Sequence, residues 1–365
     1  FIDIPYNSAP SGGGLKVEPA QGNALETYFM ISCYNWTDDD VPLRYQFFSS
    51  TQSNLSVSEW SPLSDKQLSS HMKTWLAGVS PNITVYLYVI VSDSYDAESQ
   101  ANTSTLVIYS GDVTDHIQKI TDILASLQTT DHLEILKMTS LISYQTLLLE
   151  NSVTPIGAAC PLCSGHGTCV NDACVCDPGW VLEDCSMPEA TLQELITTKF
   201  NVIDKFKDLI PATQSDKDFI LKSLEQLTVN SQFNNEQTLT QVKETLIDVV
   251  KVKDPGTVLT LTQRELVAQV VDNMIEVLIL IDCGCLSPLC TDVGETFEES
   301  LAKIADNALD SAFPNQPPVV IQTPTFDVIT AKTTPCALPS IDFKSDQLSP
   351  IGNLFAKDKV EEQQR

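Results

Sequence analysis

Two periods organise the hydrophobic positions, and the change between them falls at Asp112. Before it the pattern alternates. In Ile83 to Val91, residues Ile83, Val85, Leu87, Val89 and Val91 would line one face of a strand, and Thr84, Tyr86, Tyr88 and Ile90 the other. Aromatic and β-branched residues suit a pleated surface, so this run and Leu43 to Phe48 predict strands. A last strand, Thr105 to Tyr109, is expected after a turn-rich Ser92 to Thr103. Strands at this spacing predict an antiparallel β-sandwich over residues 1–110.

After Asp112 the period becomes helical. Val113, Ile117, Ile120, Leu124 and Leu127 are spaced by threes and fours, and Leu133, Leu136 and Leu141 to Leu149 suggest a second helix, together a hairpin over 111–152. A linker, Asn151 to Ala159, leads into a cysteine cluster. Apolar faces then resume at Leu192, Leu195, Ile196, Phe200, Ile203, Phe206; at Phe219, Ile220, Leu224, Leu227; at Leu239, Val242, Leu246, Val249; at Leu266, Val270, Met274, Val277, Ile281; and at Phe297, Leu301, Ile304, Ala308. Five amphipathic helices with short connections predict a bundle over 189–313, with these stripes as its core. Thr191…Glu194 and Thr262…Glu265 match the capping box, in which hydroxyl and carboxylate satisfy free backbone N–H groups. Residues 314–365 read as a short β or extended tail.

The chain's 365 residues fit two or three domains, and 42% hydrophobic content is enough for real cores. A net charge of −27 repels phosphate backbones, so nucleic acid is not an expected partner. Eleven cysteines, six of them between Cys160 and Cys185, belong to an oxidising compartment. The longest apolar run, Val85 to Val91, is too short to span a bilayer, so no transmembrane segment is expected in this stretch. Phe1 is not followed by a charged and then an apolar leader, which suggests that any signal peptide is already gone.

The cysteines run Cys160-x2-Cys163-x5-Cys169-x4-Cys174-x-Cys176-x8-Cys185. With Cys163-Ser-Gly-His-Gly-Thr-Cys169 and Cys174-Val-Cys176-Asp-Pro-Gly-Trp180, residues 158–187 resemble an EGF-like module. Spacing alone does not choose among the connectivities open to six cysteines. The resemblance implies bridges Cys160–Cys169, Cys163–Cys174 and Cys176–Cys185. A module this small folds only with such crosslinks, which restrict its unfolded ensemble. Two departures stand out. Leu182 replaces the usual second glycine after the aromatic, and the lead-in Ile156-Gly-Ala-Ala159 lacks the acidic residues of calcium-binding members. The rival reading of Cys160-x-x-Cys163 is zinc or redox chemistry.

Pro10-Ser-Gly-Gly13, Gly22, Phe29, Cys33-Tyr-Asn-Trp36-Thr-Asp38, Pro42-Leu-Arg-Tyr45-Gln-Phe47 and Val91-Ser-Asp93 resemble the receptor-for-egg-jelly (REJ) module of polycystin-family surface proteins. That resemblance implies a fibronectin III or Ig-like sandwich followed by helices. In such proteins helices often precede a GAIN-type autoproteolytic domain, and Ile321-Gln-Thr-Pro-Thr-Phe-Asp-Val328 resembles the entry to its β part, which makes 189–313 GAIN-subdomain-A-like. Autoproteolysis there uses a histidine, and none follows His166, so self-cleavage within this stretch is not expected.

Four glycosylation sequons, at Asn35, Asn54, Asn82 and Asn102, all fall in the β region. Cys283, Cys285, Cys290 and Cys336 are expected to form two bridges, leaving Cys33 as a buried free thiol, with an intermolecular bridge as the alternative. Asp38-Asp39-Asp40 and Asp93…Asp96 can supply oxygens to Ca²⁺, although acidic loops are commonly just solvated. No nucleophile elbow, H-E-x-x-H, phosphate loop or dinucleotide fingerprint occurs, so no enzymatic activity is expected. The expectation is a non-enzymatic extracellular or cell-surface glycoprotein segment for adhesion, ligand binding or mechanosensing, with protein partners. The alternative is a structural subunit of an extracellular filament or appendage that self-assembles through its chain ends.

Overall fold

The computed structural model describes residues 7–53, 60–79, 81–109, 111–127, 132–153, 163–170, 173–207, 209, 214–250, 259–280, 319–324 and 327–330. The chain divides into two compact units, Phe1–Val242 and Lys243–Arg365.

The first unit opens with eight strands: β1 Gly14–Glu18, β2 Gln21–Asn23, β3 Phe29–Tyr34, β4 Arg44–Ser50, β5 Ser61–Pro62, β6 His71–Thr74, β7 Ile83–Ser92 and β8 Glu98–Ile108. They form a three-stranded sheet, β1-β3-β6, and a five-stranded sheet, β2-β8-β7-β4-β5. Leu15, Phe29, Ile31 and Met72 from the first sheet share one buried cluster with Phe47, Val85, Leu87, Val89, Val91 and Val107 from the second. The alternating side chains of β7 thus fill the space between the sheets. Its other face is not solvated. Tyr88 and Ile90 pack with Phe48 and Trp60, and the Trp60 and Tyr88 rings stack with centroids 4.0 Å apart.

Two strand expectations change. The segment read as turn-rich from Ser92 to Thr103 is largely strand, because β8 pairs with β7 from Ser92↔Glu98 to Ile83↔Val107. Its first half carries Ser99, Ala101 and Thr103 on the inward side, too small and polar to give a hydrophobic signal. The strands are also not all antiparallel, since β2 runs parallel to β8.

The helices are α1 Val113–Ser126, α2 His132–Val153, α3 Glu189–Lys207, α4 Gln214–Thr228, α5 Glu236–Val250 and α6 Leu261–Leu280. The expected hairpin and the first bundle helices pack on one another: α2 lies against α3 and α4, and α1 against α3. Their start signals differ from expectation. Thr191 lies inside α3, which begins directly after Pro188, so it caps nothing. For α6 the box is two residues earlier than Thr262…Glu265. The Thr260 hydroxyl accepts from Gln263 N at 3.1 Å, and Gln263 Oε1 accepts from Thr260 N at 3.1 Å. A further box, Asp112 with Asp115, starts α1.

Polar side chains of α2 fasten the helices to the sheets. Gln145 Oε1 accepts from Gly78 N at 2.8 Å, and its Nε2 donates to Gly78 O at 3.1 Å. The Tyr144 hydroxyl accepts from Thr51 N at 2.9 Å, and α4 adds Gln226 Nε2 donating to the Ser61 hydroxyl at 3.3 Å. The Gln145 and Tyr144 groups satisfy backbone that no strand ladder reaches. Glu150 on α2 and Lys199 on α3 form an ion pair at 2.7 Å with neither side chain exposed.

In the second unit, α6 buries Val270, Met274 and Val277, and β9 Val319–Gln322 pairs antiparallel with β10 Asp327–Thr330. The stripe Phe297, Leu301, Ile304, Ala308 and the tail beyond Thr330 lie outside the described residues.

Candidate functional site

Between α2 and α3 the chain makes a small crosslinked module. Gly167–Val170 and Ala173–Cys176 pair antiparallel, and the bridges Cys163–Cys174 and Cys176–Cys185 are present. Cys169 is also disulfide-bonded, while Cys160 lies outside the described residues. Gly167 is required by close approach: a Cβ there would meet Val175 O at 2.6 Å and Cys185 Sγ at 2.9 Å. His166 stacks flat on Trp180, ring centroids 3.3 Å apart.

At Leu182, where the family has glycine, the backbone is left-handed. Its φ is +74°, the left-handed region in which a side chain is strained and glycine is not. That side chain, with Val181 and Met187, packs into a cluster containing Ile117 of α1, Leu149 of α2, Leu195 of α3 and Phe233. A glycine would relieve the backbone and lose this contact. The cysteine module is therefore seated on the helices rather than hung between them.

A second feature lies on the outer face of β1-β3-β6. Tyr28, Met30 and Tyr34 are 51%, 38% and 48% exposed. Tyr28 packs against Trp75 with ring centroids 5.1 Å apart and planes tilted by 30°, and the Lys73 ammonium sits 4.2 Å from the Tyr28 ring. The glycines of Ser11-Gly-Gly-Gly14 make room for rings. A Cβ on Gly14 would lie 2.6 Å from the Tyr34 ring, and one on Gly13 would lie 2.2 Å from Trp36. Trp36 Nε1 donates to Gly14 O at 3.3 Å. Aromatic groups thus run along this sheet. The sequon residues Asn35, Asn82 and Asn102 are exposed, and Asn54 lies outside the described residues.

A third feature sits where the β3–β4 loop meets the β7–β8 turn, brought together by the pairing Arg44↔Ser92. One carboxylate oxygen from each of Asp38, Asp40 and Asp93 lies within 4.8 Å of the other two. Asp93 is fully buried. Its Oδ1 accepts from Tyr95 N at 2.7 Å and Ala97 N at 3.0 Å. Burial opposes its charge, but those two N–H groups, the Asn7 amide and the Arg44 guanidinium hold its carboxyl below the usual range. Asp39 is not in the cluster, and Asp96 instead pairs with Arg44 at 3.2 Å.

Cys33 is a free, half-buried thiol against the sandwich core, pushed up to about 12 by burial. It is therefore a poor nucleophile at neutral pH. Cys283, Cys285, Cys290 and Cys336 lie outside the described residues.

Paired sheets, a helical layer seated on them and a disulfide-held module between helices make a modular chain. A family model for the REJ domain matches residues 2–140, and one for the teneurin-like EGF domain matches residues 160–188. The chain thus carries a REJ domain, which runs through α1 into α2, followed by an EGF-like domain. Together with the disulfides these domains fit an extracellular, polycystin-like protein. Both are non-catalytic module types. No described helix is long and apolar enough to cross a membrane.

Proposed function

We propose that this chain is a non-enzymatic segment of a cell-surface glycoprotein that binds protein partners, in adhesion, ligand capture or mechanosensing, through the outer face of its three-stranded sheet. The observation that carries this is the run of Tyr28, Met30 and Tyr34 on that face. Adjacent exposed apolar side chains favour association, and tyrosine is enriched where proteins meet. In this reading the sandwich is of fibronectin III or Ig-like type and the later helices are GAIN-subdomain-A-like. Asn35, Asn54, Asn82 and Asn102 carry glycans, and Cys160–Cys169 completes the EGF-like framework. The remaining four cysteines make two bridges.

The test uses the whole chain secreted from a eukaryotic host and labelled, with cells of the source organism as the binding surface. Saturable binding that falls at least several-fold in a Tyr28→Ser/Tyr34→Ser double variant supports the proposal. Equal binding by the variant, or none by the natural chain, overturns it. Sedimentation of the chain as long polymers would favour the filament-subunit role instead.

A further inference from the structure

We propose that Asp38, Asp40 and Asp93 form a Ca²⁺ site that clasps the β3–β4 loop to the β7–β8 turn. Proximity of acids alone does not make a site. The distinguishing observation is Asp93, a fully buried carboxylate whose Oδ2 has no hydrogen-bond partner. Buried polar atoms are normally paired, and an ionised oxygen left without a partner requires a positive or donor group.

The charge balance points the same way. Three carboxylates converge within 4.8 Å, and the nearby cation Arg44 is already divided between the main-chain oxygen of Asp93 and the Asp96 carboxylate, both at 3.2 Å. A divalent cation offsets what Arg44 leaves. The two loops are already linked at the backbone, with Ser94 N donating to Asp40 O at 3.0 Å, so the oxygens sit on a held frame.

The donor set selects the metal. All the candidate ligands are carboxylate oxygens, with no sulfur or imidazole in the cluster. Oxygen donors suit hard cations, and Ca²⁺ accepts irregular sets of six to eight oxygens, whereas Mg²⁺ demands a near-octahedral shell. Water and main-chain carbonyls complete the shell. The site does not depend on the partner-binding role of the aromatic face, which lies on the other sheet.

A chain this acidic attracts cations diffusely, so the test holds net charge constant. Calorimetric titration of the whole chain with CaCl₂ is compared for the natural sequence, Asp40→Asn, Asp38→Asn, and the controls Asp39→Asn and Asp96→Asn. Each substitution removes one negative charge. The expected result is one saturable site with Kd in the range of about 10⁻⁴–10⁻³ M, as in other extracellular modules. It persists in both controls, weakens at least tenfold in Asp40→Asn and Asp38→Asn, and binds Mg²⁺ more weakly. Circular dichroism establishes that each variant is folded. Should either cluster variant not fold, the natural chain decides together with the controls: a saturable site retained in both supports the proposal. No saturable Ca²⁺ heat in the natural chain, the same isotherm in all folded variants, or loss in the controls as well overturns it.

Discussion

Glu150 and Lys199 meet at 2.7 Å with both side chains fully buried, although the EGF-like domain separates them in sequence. Asn230 Nδ2 donates to the other Glu150 oxygen at 3.0 Å, so the carboxylate is satisfied on both sides. Burial pushes Glu150 up and Lys199 down, each opposed by the charge of the other. Removing one partner leaves a buried charge, which costs about 3–5 kcal/mol. Lys199→Met is expected to show that loss in urea denaturation. The double variant Glu150→Leu/Lys199→Met is expected to lose clearly less, because no charge is stranded.

His116 gives the first unit a pH dependence. Its ring stacks on Tyr109 and lies 3.0 Å from Gln145 Nε2. Burial lowers its pKa to about 4, helped by Lys119 and opposed by Asp115 and Asp112. The unfolded histidine takes a proton near pH 6.5, so the unfolded state binds more protons between there and 4. The stabilisation is complete above about pH 6.5 and is lost as pH falls through that window, by about 3 kcal/mol in all. Denaturation midpoints measured from pH 7 to 4 should fall more steeply in the natural chain than in His116→Gln.

Leu182→Gly separates backbone strain from docking. Relief of the left-handed leucine returns about 1–2 kcal/mol, and loss of its partly buried side chain removes a comparable amount. Global stability should therefore change little. Amide exchange across residues 180–188 should accelerate, because the EGF-like domain loses its apolar seat.

Capping of α6 distinguishes two threonines two residues apart. Thr260→Ala removes the hydroxyl that accepts from Gln263 N and should cost about 1 kcal/mol in the unit that contains α6. Thr262→Ala, at an exposed position inside the helix, should leave the denaturation midpoint nearly unchanged.

Local signals in the sequence carried far, and long-range ones did not. The alternation in Ile83–Val91 placed a strand correctly because each side chain reports its own face. The polar first half of β8 was hidden, since its structure comes from pairing with β7 and not from its composition. Thr191 and Thr262 fit a capping pattern that the chain context overrode. Nothing in the local pattern marks Glu150 and Lys199 as partners, and the packing of helices from both sides of the EGF-like domain brings them together out of solvent. The acidic loops were visible as candidates. That Asp93 joins Asp38 and Asp40, while Asp96 goes to Arg44, follows from the β4–β7 register, which no local pattern encodes.

The clamp between α2 and α3 also governs what a protease can achieve. A single cut between Cys185 and Glu189, outside the loops closed by Cys163–Cys174 and Cys176–Cys185, severs the polypeptide but not the assembly, because the flanking helices remain interlocked through their ion pair and shared core. Two fragments of such a clipped molecule should migrate together under native conditions and come apart only in denaturant, so proteolytic processing in this region would leave a noncovalent heterodimer.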